Sequence, residues 1–170
     1  MTEFEQQDLT PLSYELDDAR TGERQRMVQE GDGVRMSHKE NTSAETKSDV
    51  VDLKAGSLIG DTLAPFLQRN WELLAEGNTL EFPLLVPARR DVFSFRVRRV
   101  EPEWDIAPGR MVVKMEPDTW ILRLAVDPLY FTFGTDPPHR LMEYRGRGVI
   151  STASGETQDL RITYVYEEGG

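Results

Sequence analysis

The segment from 92 to 100 reads Val92-Phe93-Ser94-Phe95-Arg96-Val97-Arg98-Arg99-Val100. Apolar Phe93, Phe95 and Val97 fall on every second position. Arg96 and Arg98 occupy positions between and beyond them. A period of two is that of a β-strand, whose successive side chains point to opposite faces. The segment therefore predicts a strand with one apolar and one cationic face.

The same pattern extends through the second half of the chain. It predicts strands at 79–86, 92–100, 110–115, 120–125, 129–133, 140–151 and 158–166. Turn residues mark the breaks: Pro87, Pro102, Pro108-Gly109, Pro117-Asp118, Asp127-Pro128, Asp136-Pro137-Pro138 and Ser154-Gly155. Short strands that follow one another without intervening helices favour antiparallel meanders over parallel units.

The first half predicts two hairpins. Alternating residues from Leu12 to Leu16 lead into turn residues 17–22 and a returning strand at 23–30. Gly31-Asp32-Gly33 then forms a second turn before a strand at 34–39, because glycine adopts positive φ without strain. Residues 1–10 carry no pattern and predict a flexible segment. Residues 11–168 are predicted to form a single β-rich domain.

One segment changes its period from two to about 3.6. Its apolar residues share one helical stripe: Leu63, Phe66, Leu67, Trp71 and Leu74. Thr62 suits the N-cap and Gly77 the left-handed stop. The predicted fold is mainly β (α+β), a large curved antiparallel sheet or open half-barrel packed on one α-helix at about 62–77.

Composition and motifs narrow the functions. Thirty acidic and 20 basic residues give a net charge of −10, which argues against nucleic acid and anionic membranes as partners. No apolar run approaches the roughly 18 residues of a membrane span. The chain has no cysteine, and its two histidines are about a hundred positions apart, so no metal site is predicted. No catalytic motif or cofactor motif is recognised, so no catalytic residue is assigned.

Arginine is concentrated in one part of this acidic chain. Segment 86–100 holds five arginines and one acid, a local charge of +4. The arginine fork suits carboxylate or phosphate, and we predict a ligand-binding set of Arg89, Arg96, Arg98 and Arg145. The alternative is a solvated sheet face balanced by Glu81, Glu101, Glu103 and Glu143, since cross-strand pairs of opposite charge are common.

Aromatic residues suggest a second kind of site. Trp71 and Tyr144 belong to a set of bulky rings that either fill the interior of a curved sheet or line a hollow in it. In the first case they are core. In the second they contact an apolar ligand, and both are included among the predicted ligand-binding residues.

Several segments resemble a family of uncharacterised, exported proteobacterial proteins that is defined only as a domain of unknown function. The main ones are PLSYELDDARTG at 11–22, FLQRNWELLAEG at 66–77 and LRLAVDPL at 122–129. Shorter segments at 86–89, 141–146 and 161–164 are similar too. The resemblance implies a periplasmic location and a fold similar to the open half-barrels of lipoprotein-carrier proteins.

Three functional hypotheses follow. The leading one is a non-enzymatic binding or scaffold module of the cell envelope, with a lipid or other amphiphile as the ligand of its curved sheet. The second is an enzyme that acts on an anionic substrate, with the arginines as clamps and Asp127 as the base. The third is a partner protein that pairs an edge strand with an envelope protein or a second copy of itself.

Overall fold

The computed structural model describes residues 1–151 and 157–166. The described chain contains three short α-helices, one 3-10 helix (Gly60–Thr62) and eleven strands, and the mainly antiparallel β class is confirmed. The strands are β1 (Thr2–Phe4), β2 (Pro11–Asp18), β3 (Glu23–Glu30), β4 (Gly33–Lys39), β5 (Lys47–Asp52), β6 (Leu80–Val86), β7 (Asp91–Val100), β8 (Arg110–Pro117), β9 (Leu129–Gly134), β10 (Leu141–Ser151) and β11 (Thr157–Thr163). The helices are α1 (Leu63–Arg69), α2 (Trp71–Ala75) and α3 (Trp120–Arg123). The predicted turn at Ser154-Gly155 lies outside the described residues.

The strands form two sheets, whereas the sequence predicts one large sheet. The first has the order β1-β2-β3-β4-β5, and the second has the order β11-β10-β9-β8-β7-β6. Neighbours in each sheet are also neighbours in sequence, as expected of hairpin connections. The 27 residues 53–79 between β5 and β6 hold the first two helices, and a connection of this kind is too long for a hairpin turn. A new sheet therefore begins at β6.

The described chain also divides into two compact units. The first contains Met1–Phe66, Phe82–Ser94 and the described residues 150–151, and the second contains Leu67–Glu81, Phe95–Val149 and the described residues from Thr157 onward. The sequence predicts a single domain over 11–168, which stays a prediction. Each unit has its own buried residues, so each is described by itself.

The core of the first unit comes from alternate positions of its hairpins. Met27 on β3 is paired with Met36 on β4, and both are fully buried with Val34. Ile59 and Leu85 close the cluster, and Tyr14 packs at its margin. The hairpin predicted for 12–30 is confirmed, with Leu16 opposite Gln25 in the register. Buried and exposed residues alternate along most of β3 and β4, as expected of strands that bury one face.

Residues 1–10 instead contribute to this sheet. β1 pairs antiparallel with β2, with Thr2 opposite Tyr14, and Leu9 is buried. The sequence predicts a flexible segment because three residues of strand are too few to show a period. The pairing is set by the neighbouring strand, which a local pattern does not report.

The predicted helix at 62–77 occurs as two short helices. α1 ends at Arg69 and α2 begins at Trp71, and Asn70 between them has φ −103° and ψ 23°, outside the α-helical region. Thr62 precedes α1, but its Oγ1 accepts a hydrogen bond from Ile59 N at 3.0 Å and donates one to Ile59 O at 2.9 Å. The hydroxyl therefore closes the turn before the helix. Phe66 packs on Phe82, with ring centroids 5.2 Å apart.

The strand predicted at 120–125 is wrong. Trp120–Arg123 forms the short helix α3, in the connection between β8 and β9. β8 and β9 pair directly with each other, with Met115 opposite Leu129, so the connection has no strand beside it in the hairpin. Without such a partner its backbone hydrogen bonds close locally, as in Val126 N to Leu122 O at 2.9 Å.

The sheet of the second unit has two chemically different faces. On β8, Met111, Val113 and Met115 are buried on one face. Trp71 packs on this apolar face, with its ring 6.2 Å from that of Phe133. The alternate residues of β8 include Arg110, Lys114 and Glu116, which point to the opposite face. That opposite face carries the candidate site.

Candidate ligand-binding face

One row of side chains crosses four strands on the polar face of the second unit. Arg98 on β7 is opposite Lys114 on β8, which is opposite Tyr130 on β9, which is opposite Arg145 on β10. Directly opposite residues of antiparallel strands project to the same face. Neighbouring strands lie about 4.8 Å apart, so the row spans about 14 Å. Three cations thus share a single row.

We call this surface the cationic face and define it by its charged residues. It has seven cations: Arg96, Arg98, Arg110, Lys114, Arg123, Arg145 and Arg161. Its carboxylates are Glu116 and Glu143, and Asp105 lies at the rim of the pocket described below. Asp118 and Asp127 flank the helix that carries Arg123, so seven cations and five carboxylates leave an excess of two positive charges, in a chain whose net charge is −10. The cationic face therefore has a local positive charge in an otherwise acidic protein.

Glu116 organises one end of the face. The buried carboxylate accepts hydrogen bonds from Arg96 at 2.6 Å, and it pairs with Lys114 Nζ at 2.6 Å. Arg123 of α3 lies at 3.6 Å. Burial raises the pKa of Glu116, but the hydrogen bonds from Lys114 and Arg96 outweigh it and lower the pKa to about 2. The carboxylate is thus ionised at neutral pH, and three cations share it.

The other end of the face holds a pocket of about 200 Å³ beside Trp104. Trp104 lies in the connection between β7 and β8 and meets Tyr130 edge-on, with ring centroids 5.0 Å apart. The Arg145 guanidinium lies 4.4 Å from the centroid of the Trp104 ring. A cation over an aromatic face is attracted by the ring quadrupole. These contacts fix the indole as one wall of the pocket, which we call the Trp104 pocket.

Glu143 ties two arginines into the pocket wall. Its Oε1 accepts a hydrogen bond from Arg145, and its Oε2 accepts one from Arg161 Nε at 2.8 Å. Burial raises the pKa of Glu143, but hydrogen bonds from Arg145 and then Arg161 lower it below the ordinary value. One carboxylate therefore compensates two guanidinium groups, and a positive charge is left over.

Two donors in the pocket lining have no acceptor. Arg110 Nη1 and Trp104 Nε1 are buried, and neither has a hydrogen-bond partner within the described residues. A buried donor left unsatisfied costs about 1–3 kcal/mol, and more when it is charged. Native structures seldom leave such groups unpaired, and their partner is then an ordered water, an ion or a bound molecule. Both donors belong to side chains that line the same pocket, which makes this pocket the candidate place for an acceptor-bearing ligand.

The structure places three of the predicted arginines together. Arg96, Arg98 and Arg145 lie on the cationic face, and Arg145 is the one that lines the pocket. Arg89 is exposed in the turn between β6 and β7, in the first unit. Its neighbour Arg90 forms an ion pair with Asp49 of β5 at 2.6 Å, so this turn is tied to the first unit.

Trp71 and Tyr144 lie on the apolar face and not on the cationic one. Trp71 is buried and stacks on His139, with ring centroids 3.9 Å apart and planes at 10°. Tyr144 packs on Phe131, and its hydroxyl donates to Arg147 O at 2.7 Å. Burial, followed by the charges of Tyr164 and Asp159, raises the pKa of Tyr144 to about 12. Trp71 is thus part of the buried core, and Tyr144 is half-buried beside Phe131.

Sequence reasoning missed most of the other members: Trp104, Arg110, Lys114, Glu116, Arg123 and Arg161. A signal was present in β8, where Arg110, Lys114 and Glu116 stand at even spacings among apolar residues. The same period-two rule that paired Arg96 with Arg98 would have selected them. Trp104 gave no such signal, because it lies in a connection whose path depends on the fold.

Asp127, the base of the enzyme hypothesis, is exposed in the connection between α3 and β9. Within residues 1–151 and 157–166, no three side chains of the His, Cys, Asp or Glu type come together as a metal site would require. The helices of the same residues are too short or too polar to cross a bilayer. The chain matches no family model, no curated protein and no solved structure in the comparisons made.

Proposed function

We propose that the protein is a non-enzymatic binding module that holds a small anionic amphiphile in the Trp104 pocket. The observation that carries the proposal is a pair of buried donors without a partner, Arg110 Nη1 and Trp104 Nε1, on two side chains that line one pocket of the cationic face. A carboxylate or phosphate oxygen would satisfy both groups. The apolar part of the ligand would contact Ile106 and Met142 in the same lining.

The size of the pocket limits the ligand. Sites for drug-sized molecules are usually about 300–1,000 Å³. The Trp104 pocket, at about 200 Å³, suits a small molecule or the polar end of a longer one. A single-chain amphiphile with one anionic group fits both the volume and the charge.

The carboxylates of the cationic face favour binding over catalysis. Efficient general acids and bases have a pKa near the working pH. The two carboxylates paired with the arginines of this face, Glu116 and Glu143, have their pKa shifted downward and hold those arginines in place. They are suited to position cations around a ligand. The cell-envelope location remains a proposal that is supported only by the sequence resemblance.

The proposal is tested by titrating the protein with octanoate, a short amphiphilic carboxylate, and following indole N–H signals by NMR. Octanoate is expected to shift the Trp104 indole signal. Arg110→Met keeps most of the side-chain length but removes the charge, and it should weaken binding about tenfold or more, since hydrogen bonds to charged groups contribute about 1.5–3 kcal/mol.

The matched control is Arg89→Met, which removes an exposed arginine from the first unit and should leave octanoate binding unchanged. Neutral octyl glucoside and cationic octylammonium show whether the carboxylate is needed. Equal binding of octanoate by wild type and Arg110→Met, with both variants folded, would rule out the assigned pocket. If neither carboxylates nor phosphates saturate the protein at millimolar concentration, the proposed ligand class is ruled out.

A further inference from the structure

The connection between β8 and β9 exposes an unusual group of apolar side chains. Trp120 is 64% exposed, Ile121 is 58% exposed and Leu124 is 81% exposed. Val126 follows at 40%. We call these four residues the α3 tip. Single exposed apolar residues are ordinary on protein surfaces, but a contiguous group marks an interaction site.

Cations lie at the base of the α3 tip. Arg123 reaches Glu116 from α3, and Arg96 and Lys114 share that carboxylate. Arg98, directly opposite Lys114, adds a fourth cation. Asp118 and Asp127 flank the helix, so four cations face three carboxylates in total. The tip thus combines exposed apolar groups with a local positive excess in a molecule whose net charge is −10.

We infer that the α3 tip is a docking surface for an anionic lipid bilayer. Tryptophan is enriched at the boundary between lipid and water because its ring is amphipathic. Apolar side chains that enter this boundary, with lysine and arginine beside them, give reversible attachment to membranes with anionic lipids. Trp120 and Leu124 would enter the boundary, and Arg98 and Lys114 would lie near the lipid phosphates.

The small size of the α3 tip favours a bilayer over a second protein molecule. A stable protein interface buries about 800 Å² on each partner. Four partly exposed side chains supply at most a few hundred Å² of apolar surface, because even a whole aromatic side chain buries only about 150–250 Å². A bilayer requires no complementary partner surface, since each inserted side chain contributes by itself. The inference does not depend on a ligand in the Trp104 pocket.

The test is co-sedimentation of the full chain with phosphatidylcholine vesicles, prepared with and without phosphatidylglycerol. Wild type is expected to sediment with the phosphatidylglycerol vesicles, and less at high salt. The double variant Trp120→Ser, Leu124→Ser should partition about tenfold or more weakly, because burial of one large apolar side chain accounts for roughly that factor. The control is Val28→Ser with Val50→Ser, two residues 50% and 54% exposed in the first unit. This control should bind as wild type does.

A second measurement does not rely on the fold of the double variant. Brominated phosphatidylcholine, mixed with phosphatidylglycerol, should quench part of the tryptophan fluorescence of wild type. Trp120→Phe should abolish that quenched part, because Trp71 is buried and Trp104 is half-buried. Quenching that persists in Trp120→Phe would overturn the inference.

The remaining outcomes are equally decisive. Absence of wild type from both vesicle pellets overturns the inference, as does equal sedimentation of the double variant. Self-association in light scattering that is lost in the double variant, without vesicle binding, would assign the tip to contact with a second copy. Arg110→Met should keep vesicle binding and the double variant should keep octanoate binding, so this inference and the proposed function fail separately.

Discussion

At the scale of single residues, Glu116 is the group whose removal should matter most on the cationic face. Glu116→Gln leaves Arg96, Lys114 and Arg123 without their shared counter-charge. Removal of one partner from a buried ion pair costs about 3–5 kcal/mol. We expect the free energy of unfolding to fall by about 3 kcal/mol and the melting temperature to fall by about 6–12 °C. Calorimetry and urea unfolding measure both quantities.

The effect of Glu116 should also depend on pH. The pKa of Glu116 is about 2 in the folded protein and 4.5 without the contacts of the fold, as in the unfolded chain. Its contribution to the free energy of unfolding is therefore complete above pH 4.5 and is lost as pH falls toward 2. The difference in the free energy of unfolding between wild type and Glu116→Gln should therefore become smaller below pH 4.5. A difference that stays constant from pH 7 to pH 3 would contradict this assignment. Glu30→Gln removes a solvent-exposed pair with Arg35 and should leave the free energy of unfolding nearly unchanged, because solvent screens that pair.

At the scale of elements, the turn between β2 and β3 is predicted to be less tolerant than the turn between β3 and β4. Gly22 and Gly31 both have positive φ, 76° and 60°. A Cβ on Gly22 would lie 2.7 Å from Thr42 N, whereas nothing is within 4 Å of one on Gly31. Gly31→Ala should cost about 1 kcal/mol from backbone strain alone. Gly22→Ala should cost about 3 kcal/mol, because the segment near Thr42 must also move.

Hydrogen exchange can locate the Gly22 effect. Thr42 N donates to Thr21 O at 3.2 Å, and the amide of Thr42 should lose protection in Gly22→Ala but not in Gly31→Ala. If the two substitutions lower the free energy of unfolding equally, the segment from 40 to 46 moves away from the new Cβ without a loss of stability. The two variants share their backbone conformation and substitution type, so their difference isolates the steric contact.

Elements were predictable where the evidence lies within one strand. The segment 23–30 lies between two turn signals, at 17–22 and at Gly31-Asp32-Gly33, and β3 spans the same residues. The apolar run at 120–125 is ambiguous, because four or five apolar residues suit a strand or a helical turn, and the hairpin of β8 with β9 decided between them. The break at Asn70 has no local signal, since α1 and α2 lie on one continuous apolar stripe.

The site was predictable only in part for a related reason. Arg96 and Arg98 share a face because they are two residues apart on one strand. Their position relative to Arg145 depends on the order of four strands and on the register of each pair. Trp104 depends in addition on the path of a connection. Proximity across several strands is a tertiary property, and a one-strand period does not contain it.

At the scale of the whole molecule, ligand binding should weaken with salt although ligand and protein are both anionic. The Debye length is about 8 Å at physiological ionic strength, so charges of the cationic face outweigh distant acidic residues. The affinity for octanoate should fall between low and high salt, and Arg98→Ala should reduce that dependence. Octyl glucoside, which is neutral, serves as the control. An affinity that rises with salt would show that the net charge of −10 dominates.

The alternation on β8 has a consequence for how the second unit folds. A slip of one residue in the pairing of β8 would point Lys114 and Glu116 toward Trp71 and Phe133. It would also move Val113 and Met115 to the opposite face, where they would be exposed to water. In such a misaligned hairpin, the charged side chains would be desolvated without their ion-pair partners. The apolar side chains would also lose their packing contacts. The charged side chains that are proposed to attract a ligand would thereby also disfavour the misaligned register. Replacing them with uncharged residues should therefore increase the misfolded fraction, even where the native state tolerates the substitution.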